Sequence, residues 1–253
     1  MAEPILSVRG LTRTFRLQGR ADVHAVKDVT FDLLPGECLG LIGESGSGKT
    51  TLVNLITGLL PATAGTVVLD GIDVTKCKGT QLRTAWRKMQ VVFQTPTESF
   101  DPRRTLGDGI AESLRNAGVS RRAAMARAGE LLALCGLPED FARRYPHEVS
   151  GGQCQRAAIA RALAIEPKLL ICDEATSALD VTIQAEIIDL LRSLRKELGM
   201  SILFVCHDIA LVQQFCDRVL VMYRGELVEQ GVPSAVITAP KNAYTQELIR
   251  SIL

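Results

Sequence analysis

The sequence predicts an α/β fold with a mainly parallel central sheet. Short apolar runs rich in β-branched residues alternate along the chain with segments in which apolar residues recur at helical spacing. Polar residues follow directly after several of these runs, which is typical of strands that end at the ligand-binding edge of a parallel sheet. The predicted strands are Cys38–Ile42, 169–172 and 202–205, and the last two lead into Asp173 and His207.

The amino-terminal part of the chain predicts an antiparallel β subdomain. Within residues 5–34, apolar residues in the second half include an alternation with a period of two, and a Pro-Gly turn follows at 35–36. We expect two or three antiparallel strands in this stretch.

A helical subdomain is predicted in the middle of the chain. From about residue 101 the strand signal disappears, and residues 106–117 and 121–134 have helical periodicity. We interpret residues 101–165 as a helical subdomain inserted into a single domain that spans residues 1–253. Further along, apolar residues keep a helical period over Val181–Leu198, and a glycine follows as the stop.

Composition and charge exclude several classes of protein. Of the 253 residues, 47% are hydrophobic and 23% are charged, which predicts a folded chain with a sizeable core. The formal net charge is only +1, which is too small to give the general attraction to phosphate backbones on which nucleic-acid binders depend. We therefore expect no nucleic-acid partner. No apolar run approaches the roughly eighteen residues of a membrane span, so another subunit would do any spanning. The seven cysteines never have CxxC spacing, and we expect reduced, packed thiols.

Residues 43–50 read Gly-Glu-Ser-Gly-Ser-Gly-Lys-Thr and fit the phosphate-binding pattern GxxxxGK[ST]. The pattern follows a predicted strand and opens a predicted helix, a context in which backbone N–H groups surround phosphate oxygens. In this arrangement we expect Lys49 to reach the β- and γ-phosphates, and the Thr50 hydroxyl is suited to Mg²⁺. The sequence therefore predicts a nucleotide-binding P-loop.

Two acids, Asp173 and Glu174, follow the apolar run at 169–172. Asp173 can hold Mg²⁺ through water, and Glu174 is placed to polarise the water that attacks a γ-phosphate. Taken alone, paired acids at the end of a strand also occur as helix caps.

A third pattern, Ser-Gly-Gly-Gln at residues 150–153, begins a predicted helix and offers a second phosphate-binding helix start. By itself, Ser150 would be an ordinary N-cap residue. Together with the P-loop and the paired acids, however, it makes nearly the whole chain resemble the ATP-binding-cassette ATPases, the nucleotide-hydrolysing subunits of ABC transporters. The resemblance implies the P-loop NTPase fold of the ABC ATPase type.

The resemblance also implies roles for particular residues. Residues 43–50 correspond to Walker A, and Asp173 and Glu174 to the end of Walker B with its catalytic glutamate. Gln94 matches the glutamine that touches Mg²⁺ and senses the membrane partner, and His207 matches the switch histidine at the γ-phosphate. The implied catalytic residues are Glu174, His207 and Gln94. The implied Mg²⁺ ligands are Thr50, Gln94 and Asp173.

In the resembling family, the signature at residues 150–153 contacts ATP that the opposite subunit holds, so function implies a head-to-tail dimer. Residues 177–180 match the D-loop of that family. Adenine stacks on an aromatic residue near the amino terminus, for which Phe15 is the first candidate and His24 its rival. The residues expected to bind ATP are Phe15, Gly43, Glu44, Ser45, Gly46, Ser47, Gly48, Lys49, Thr50, Thr51, Ser150, Gly151, Gly152, Gln153 and Asp180.

Three strings, at residues 98–103, 173–181 and 243–246, resemble the oligopeptide, dipeptide and nickel importer ATPases. The resemblance implies an ATP-hydrolysing subunit that drives uptake of peptides, nickel or metal chelates, or a related solute. The implied partners are a second ATPase subunit, identical or different, two integral-membrane permease subunits and, indirectly, a solute-binding protein. The implied location is peripheral, on the cytoplasmic face of the inner membrane. The alternative is a soluble ABC-type ATPase subunit of a phosphonate-degrading enzyme complex.

Overall fold

Two β-sheets organise the protein, in a computed structural model that describes residues 3–16, 22–176 and 179–250. The strands are β1 (Leu6–Phe15), β2 (Val23–Leu33), β3 (Cys38–Ile42), β4 (Ala64–Leu69), β5 (Ile72–Asp73), β6 (Met89–Val92), β7 (Leu169–Asp173), β8 (Ser201–Val205), β9 (Arg218–Tyr223) and β10 (Glu226–Gly231). The α-helices are α1 (Lys49–Ile56), α2 (Thr80–Lys88), α3 (Leu106–Asn116), α4 (Arg121–Leu134), α5 (Gly151–Leu163), α6 (Val181–Leu198), α7 (Ile209–Phe215), α8 (Pro233–Thr238) and α9 (Ala243–Arg250).

The larger sheet has six strands in the order β10-β9-β3-β8-β7-β6. All of its pairings are parallel except the one between β9 and β10 at the edge. The mainly parallel sheet predicted from the sequence is therefore confirmed, as are its strands β3, β7 and β8. The antiparallel edge hairpin of β9 and β10 was not predicted.

The smaller sheet is antiparallel and has the order β2-β1-β4-β5. Its first two strands confirm the amino-terminal antiparallel subdomain, with two strands rather than three before β3. The later strands β4 and β5, which the sequence analysis did not identify, complete this sheet: β4 pairs with β1, and β5 pairs with β4 at the edge.

In the chain, helices α3, α4 and α5 all come after strand β6 and before strand β7, two neighbouring strands of the larger sheet. Helix α4 has the bounds expected for the second helical segment, and helix α6 has those expected after the paired acids. Polar N-caps fix several starts: the side chains of Thr105, Ser120 and Asp180 accept hydrogen bonds from backbone N–H groups of the first turn. Gly199 ends α6 in the left-handed conformation, with φ 63°.

The two faces of the larger sheet belong to two different clusters of buried residues. Along β3, Leu39 and Leu41 face the cluster that includes α1 and the smaller sheet, whereas Cys38 and Ile42 face the cluster that includes α3, α4 and α5. This division follows from the alternation of side chains along a strand. The helical segment is thus joined to the sheet by one continuous core.

Six of the seven cysteines are buried as free thiols, and Cys77 is half-buried, in agreement with the packed thiols expected from the sequence. Across the described ranges, no helix combines the length and the apolar character that a membrane crossing would require.

Candidate active site

The P-loop connects β3 to α1 by a path that only glycine can follow at two positions. Gly43 has φ 153°, and a Cβ atom there would lie 2.2 Å from the carbonyl oxygen of Met222. Gly48 has φ 109°, and a Cβ atom there would lie 2.3 Å from the carbonyl oxygen of Ala25. These contacts are far closer than van der Waals packing permits, so the glycines let the loop pass tightly between its neighbours.

Lys49, the first residue of α1, is buried, and its ammonium group is held by the loop itself. Its Nζ atom donates hydrogen bonds to the carbonyl oxygens of Gly43 at 2.7 Å and Glu44 at 3.0 Å. Burial lowers the pKa of Lys49, and the nearby carboxylates of Glu174 and Asp173 oppose this change. The ammonium group therefore lies at the junction of the P-loop and the paired acids.

Asp173 ends strand β7 and is almost fully buried. Burial raises its pKa to about 6, the charge of Glu174 adds to the rise, and Lys49 opposes it. The next residue, Glu174, has a left-handed backbone with φ 51°, and its N–H group donates to the carbonyl oxygen of Val205 at 2.9 Å. A left-handed backbone is uncommon outside glycine and is found preferentially at functional sites.

A cavity of about 460 Å³ opens beside the P-loop, a size typical of small-molecule sites. Four parts of the chain form its walls: the P-loop with the start of α1, the residue that follows β7, the start of β2, and the turn between β9 and β10. The lining residues are Val23, His24, Ala25, Lys27, Ser45, Gly46, Gly48, Lys49, Thr50, Thr51, Glu174, Arg224 and Gly225. The structure thus brings Glu174 together with most of the predicted P-loop residues.

The wall formed by Arg224 and Gly225 was missed by sequence reasoning. This turn is tied to the site by backbone hydrogen bonds, because Gly225 N–H donates to the Ser47 carbonyl and Lys27 N–H donates to the Gly225 carbonyl, both at 2.8 Å. Arg224 and Gly225 both have positive φ, at 47° and 87°, as a two-residue hairpin turn of type I′ requires. The glycine after the apolar run of β9 could have predicted a turn but not its position against the P-loop.

The two candidates for adenine stacking are placed differently. His24 lines the cavity, and its Nδ1 atom lies 3.0 Å from the hydroxyl oxygen of Thr14. Phe15 pairs with Val23 across the β1–β2 ladder and has the guanidinium of Arg13 over its ring at 4.6 Å. Within the described part of the chain, the residues lining the cavity do not include Phe15. The geometry therefore favours His24, and the expectation for Phe15 stays a prediction.

The signature begins α5 as a capping box. Ser150 accepts a hydrogen bond from Gln153 N–H at 3.3 Å, and the Gln153 side chain accepts one from Ser150 N–H at 2.9 Å. A Cβ atom on Gly152 would lie 2.6 Å from the Cγ2 atom of Ile183 in α6, so this turn packs closely against that helix. Ser150 and its neighbour Gly151 are exposed.

The remaining predicted residues lie outside the cavity wall. Gln94, His207 and Asp180 are exposed, and the side chain of Asp180 accepts a hydrogen bond from Ile183 N–H as the N-cap of α6. Residues 177 and 178 of the predicted D-loop lie outside the described residues. Among the residues that the structure does describe, the lining of the cavity includes none of the signature residues, Gln94, His207 or Asp180.

Two buried polar atoms at the site fit a magnesium nucleotide. The Ser47 hydroxyl oxygen and the Asp173 Oδ1 atom are both buried without a hydrogen-bond partner among the described residues. Burying such groups is costly unless a ligand satisfies them. In the described residues there is also no group of three or more His, Cys, Asp or Glu side chains that could hold a metal. A Mg²⁺ ion here would therefore take most of its ligands from nucleotide oxygens and water.

Comparison with known proteins identifies the family. Residues 26–177, which hold the P-loop, the signature and the paired acids, match the family model described as ABC transporter. The chain belongs to the ABC transporter family. The protein accordingly binds and hydrolyses ATP with a requirement for Mg²⁺, as the sequence resemblance implied.

Relatives in the ABC transporter family match nearly the whole chain. A Brucella ovis protein named as a peptide import ATP-binding protein is 42% identical over 250 residues, which cover 98% of this chain and 78% of the relative. The glutathione import ATP-binding protein GsiA of Salmonella paratyphi A is 44% identical over 257 residues, which cover 99% of this chain and 41% of GsiA.

Solved ABC structures share the fold. A dimeric ATP-binding cassette in a post-hydrolysis state with bound ADP and Pi superposes with a TM-score of 0.82 at 32% identity, covering 90% of this chain and 98% of that one. The cbiO1 protein of Clostridium perfringens, part of the ABC transporter complex cbiONQ, gives a TM-score of 0.81 at 30% identity, covering 98% of this chain and 94% of cbiO1.

Proposed function

We propose that the chain is the ATP-hydrolysing subunit of an importer that takes up peptides. The observation that carries this proposal is the cavity beside the glycine-rich loop, which both the buried Lys49 and the carboxylate-bearing Glu174 line. The import names of the Brucella and Salmonella relatives support the transported class and favour transport over a soluble role in phosphonate degradation.

Within the site, Lys49 binds the β- and γ-phosphates, and the N–H groups of the P-loop surround them. Thr50, Gln94 and Asp173 would hold Mg²⁺ directly or through water, and the ion would supply positive charge to the phosphate oxygens. Glu174 accepts the proton of the attacking water, and its place in the cavity wall supports that role. His207 contacts the γ-phosphate. His24 or Phe15 stacks on the adenine.

A second cassette completes the site. The phosphates held by Lys49 of one copy face the signature of the other copy, which consists of Ser150, Gly151, Gly152 and Gln153. Asp180 lies at the same interface. The exposure of Ser150 and Gly151 on the isolated chain supports this arrangement. The dimeric state of the solved relative supports it as well. Partial positive charge at the start of α5 favours phosphate binding across the interface.

The assembly is peripheral, on the cytoplasmic face of the inner membrane, with two permease subunits and, indirectly, a solute-binding protein. The membership of cbiO1 in a transporter complex supports permease partners. In this proposal residues 1–253 form one nucleotide-binding domain, and the helical subdomain at 101–165 transmits closure to the permease together with the loop around Gln94.

The catalytic assignment is tested with Glu174→Gln. Losing a general base typically slows a reaction by about 10²- to 10⁴-fold, so ATP hydrolysis should fall by that order while ATP binding persists. The variant should then elute as a dimer from a size-exclusion column run with ATP and Mg²⁺. The matched control adds Lys49→Ala to the same variant, which should remain monomeric. Normal hydrolysis by Glu174→Gln would contradict the assignment.

The transport role is tested by purifying the tagged chain from native membranes. Integral-membrane permeases are the expected companions, and a tripeptide uptake assay on cells lacking the chain should show lost import. Recovery of soluble enzymes alone would overturn the importer proposal in favour of the soluble alternative.

A further inference from the structure

A hydrogen bond joins the carboxyl-terminal helix α9 to the P-loop. The backbone N–H of Glu44 donates to the hydroxyl oxygen of Tyr244 at 3.0 Å, across 200 residues of sequence. Tyr244 lies within the string at 243–246 that resembles the importer subfamily, and the site described above assigns no role to it. This contact reaches the loop that carries the phosphate-binding residues.

The ring of Tyr244 is buried and packs against another aromatic ring. Tyr244 is 7% exposed, and its ring stacks on that of Tyr223, the last residue of β9, with ring centroids 3.9 Å apart and an interplanar angle of 23°. Burial raises the pKa of Tyr244, so the phenol is neutral at physiological pH. A neutral, buried hydroxyl at a fixed position is a well-defined acceptor for a backbone N–H.

Hydrogen bonds to a residue of β10 hold the segment that leads into α9. The carboxylate of Glu229 accepts hydrogen bonds from the N–H groups of Lys241 at 2.9 Å and Asn242 at 3.0 Å. The side-chain oxygen of Asn242 in turn accepts one from the N–H of Tyr244 at 2.9 Å. The position of the Tyr244 hydroxyl is therefore set by the larger sheet rather than by the P-loop.

The Glu44 N–H and the Gly43 carbonyl belong to the same peptide unit. No described peptide bond is cis, and in a trans unit the N–H and the C=O point in opposite directions. The N–H points to Tyr244, so the carbonyl points to the other side, where it accepts the hydrogen bond from Lys49 Nζ at 2.7 Å. Orienting one end of this unit thus fixes the other.

We propose that Tyr244 is a positioning residue for the ATP site: its hydroxyl fixes the peptide unit between Gly43 and Glu44 and thereby the place at which Lys49 is held. This inference rests on the proposed function, in which Lys49 binds the phosphates. Without the hydroxyl, the Glu44 N–H loses its acceptor, the peptide unit can rotate, and the Gly43 carbonyl no longer holds the ammonium group in one place.

The test compares Tyr244→Phe with Tyr223→Phe. Each variant removes one hydroxyl and keeps both stacked rings, but only the first removes the acceptor for Glu44 N–H. The first measurement is amide hydrogen exchange of Glu44 in the nucleotide-free protein. The second is the ATP dissociation constant, with kcat, KM and the melting temperature measured alongside.

We expect Tyr244→Phe to speed Glu44 exchange and to raise the ATP dissociation constant and KM by about 2- to 10-fold, which is the range for one neutral hydrogen bond. The kcat should stay close to that of the wild type, the melting temperature should fall by no more than about 1–6 °C, and Tyr223→Phe should match the wild type throughout. The proposal would be overturned if Tyr244→Phe had the Glu44 exchange rate and the ATP affinity of the wild type. It would also be overturned if both variants lost ATP affinity equally.

Failure of this inference is distinguishable from failure of the proposed function. The exchange rate of Glu44 is measured without nucleotide and reports on the loop alone. Lys49→Ala tests the function separately, because undiminished ATP binding by that variant would refute the phosphate-binding role of Lys49 whatever the result for Tyr244.

Discussion

Replacing Asp173 with asparagine should make the nucleotide-free protein more stable. Burial is the main reason that the pKa of this carboxyl is raised from its ordinary value of 3.8 to about 6, with a further rise from Glu174 and an opposing effect of Lys49. An acid whose pKa is higher in the folded than in the unfolded state binds more protons when folded. Its ionisation therefore lowers the free energy of unfolding once the pH exceeds the folded pKa.

The size of the effect follows from the shift in pKa. Each pKa unit corresponds to about 1.4 kcal/mol, so a rise of about two units gives a penalty of about 3 kcal/mol above pH 6. The penalty decreases as the pH falls from about 6 to about 4, because the unfolded chain then becomes protonated as well. For a chain of this length, about 3 kcal/mol corresponds to a melting temperature about 6–12 °C higher.

Calorimetry in EDTA without nucleotide measures this difference. Asp173→Asn should melt higher than the wild type at about pH 7.5, and the gap should nearly close at about pH 4. The matched control is Asp70→Asn, because hydrogen bonds from Lys168 and Lys88 lower the pKa of Asp70. That variant should melt lower than the wild type at about pH 7.5. An unchanged or lower melting temperature for Asp173→Asn at that pH would refute the reasoning.

Two further predictions concern the loop and the adenine side of the cavity. Gly48→Ala should abolish ATP binding and lower stability by about 1–3 kcal/mol or more, because its Cβ atom would lie 2.3 Å from the Ala25 carbonyl oxygen. Gly71→Ala, with φ 79° but nothing within 4 Å of its Cβ atom, is the control for backbone strain alone, and equal losses would contradict a steric cause. His24→Ala should weaken ATP binding by about 2- to 10-fold in a fluorescence titration, which is the range for one aromatic contact. A larger loss in Phe15→Ala would instead assign the adenine contact to that residue.

The parts of the site that could be predicted from the sequence are continuous in the chain. The P-loop depends on a strand, a glycine-rich turn and a helix that follow one another over residues 38–56, so each requirement is visible as a local pattern. The same holds for Asp173 and Glu174 at the end of β7, and for the capping box at residues 150–153. In each case the residue types themselves favour one local conformation.

The parts that could not be predicted depend on contacts between distant residues. Strands β9 and β10 bring Arg224 and Gly225 against the P-loop, and helix α9 brings Tyr244 to Glu44. Neither contact has a local sequence signal, because each depends on how the strands of the larger sheet are ordered.

The sequence by itself determined the chemistry of this protein: a phosphate-binding loop with its lysine, two acids at a strand end, and an α/β fold to carry them. Only the tertiary structure decided which residues close the cavity, that His24 rather than Phe15 lines it, and that a tyrosine from the last helix holds the loop. The physical reason is the distance along the chain over which each effect acts. Backbone preferences and side-chain periodicity act over a few residues, whereas a cavity wall forms only when packing brings separate elements into contact.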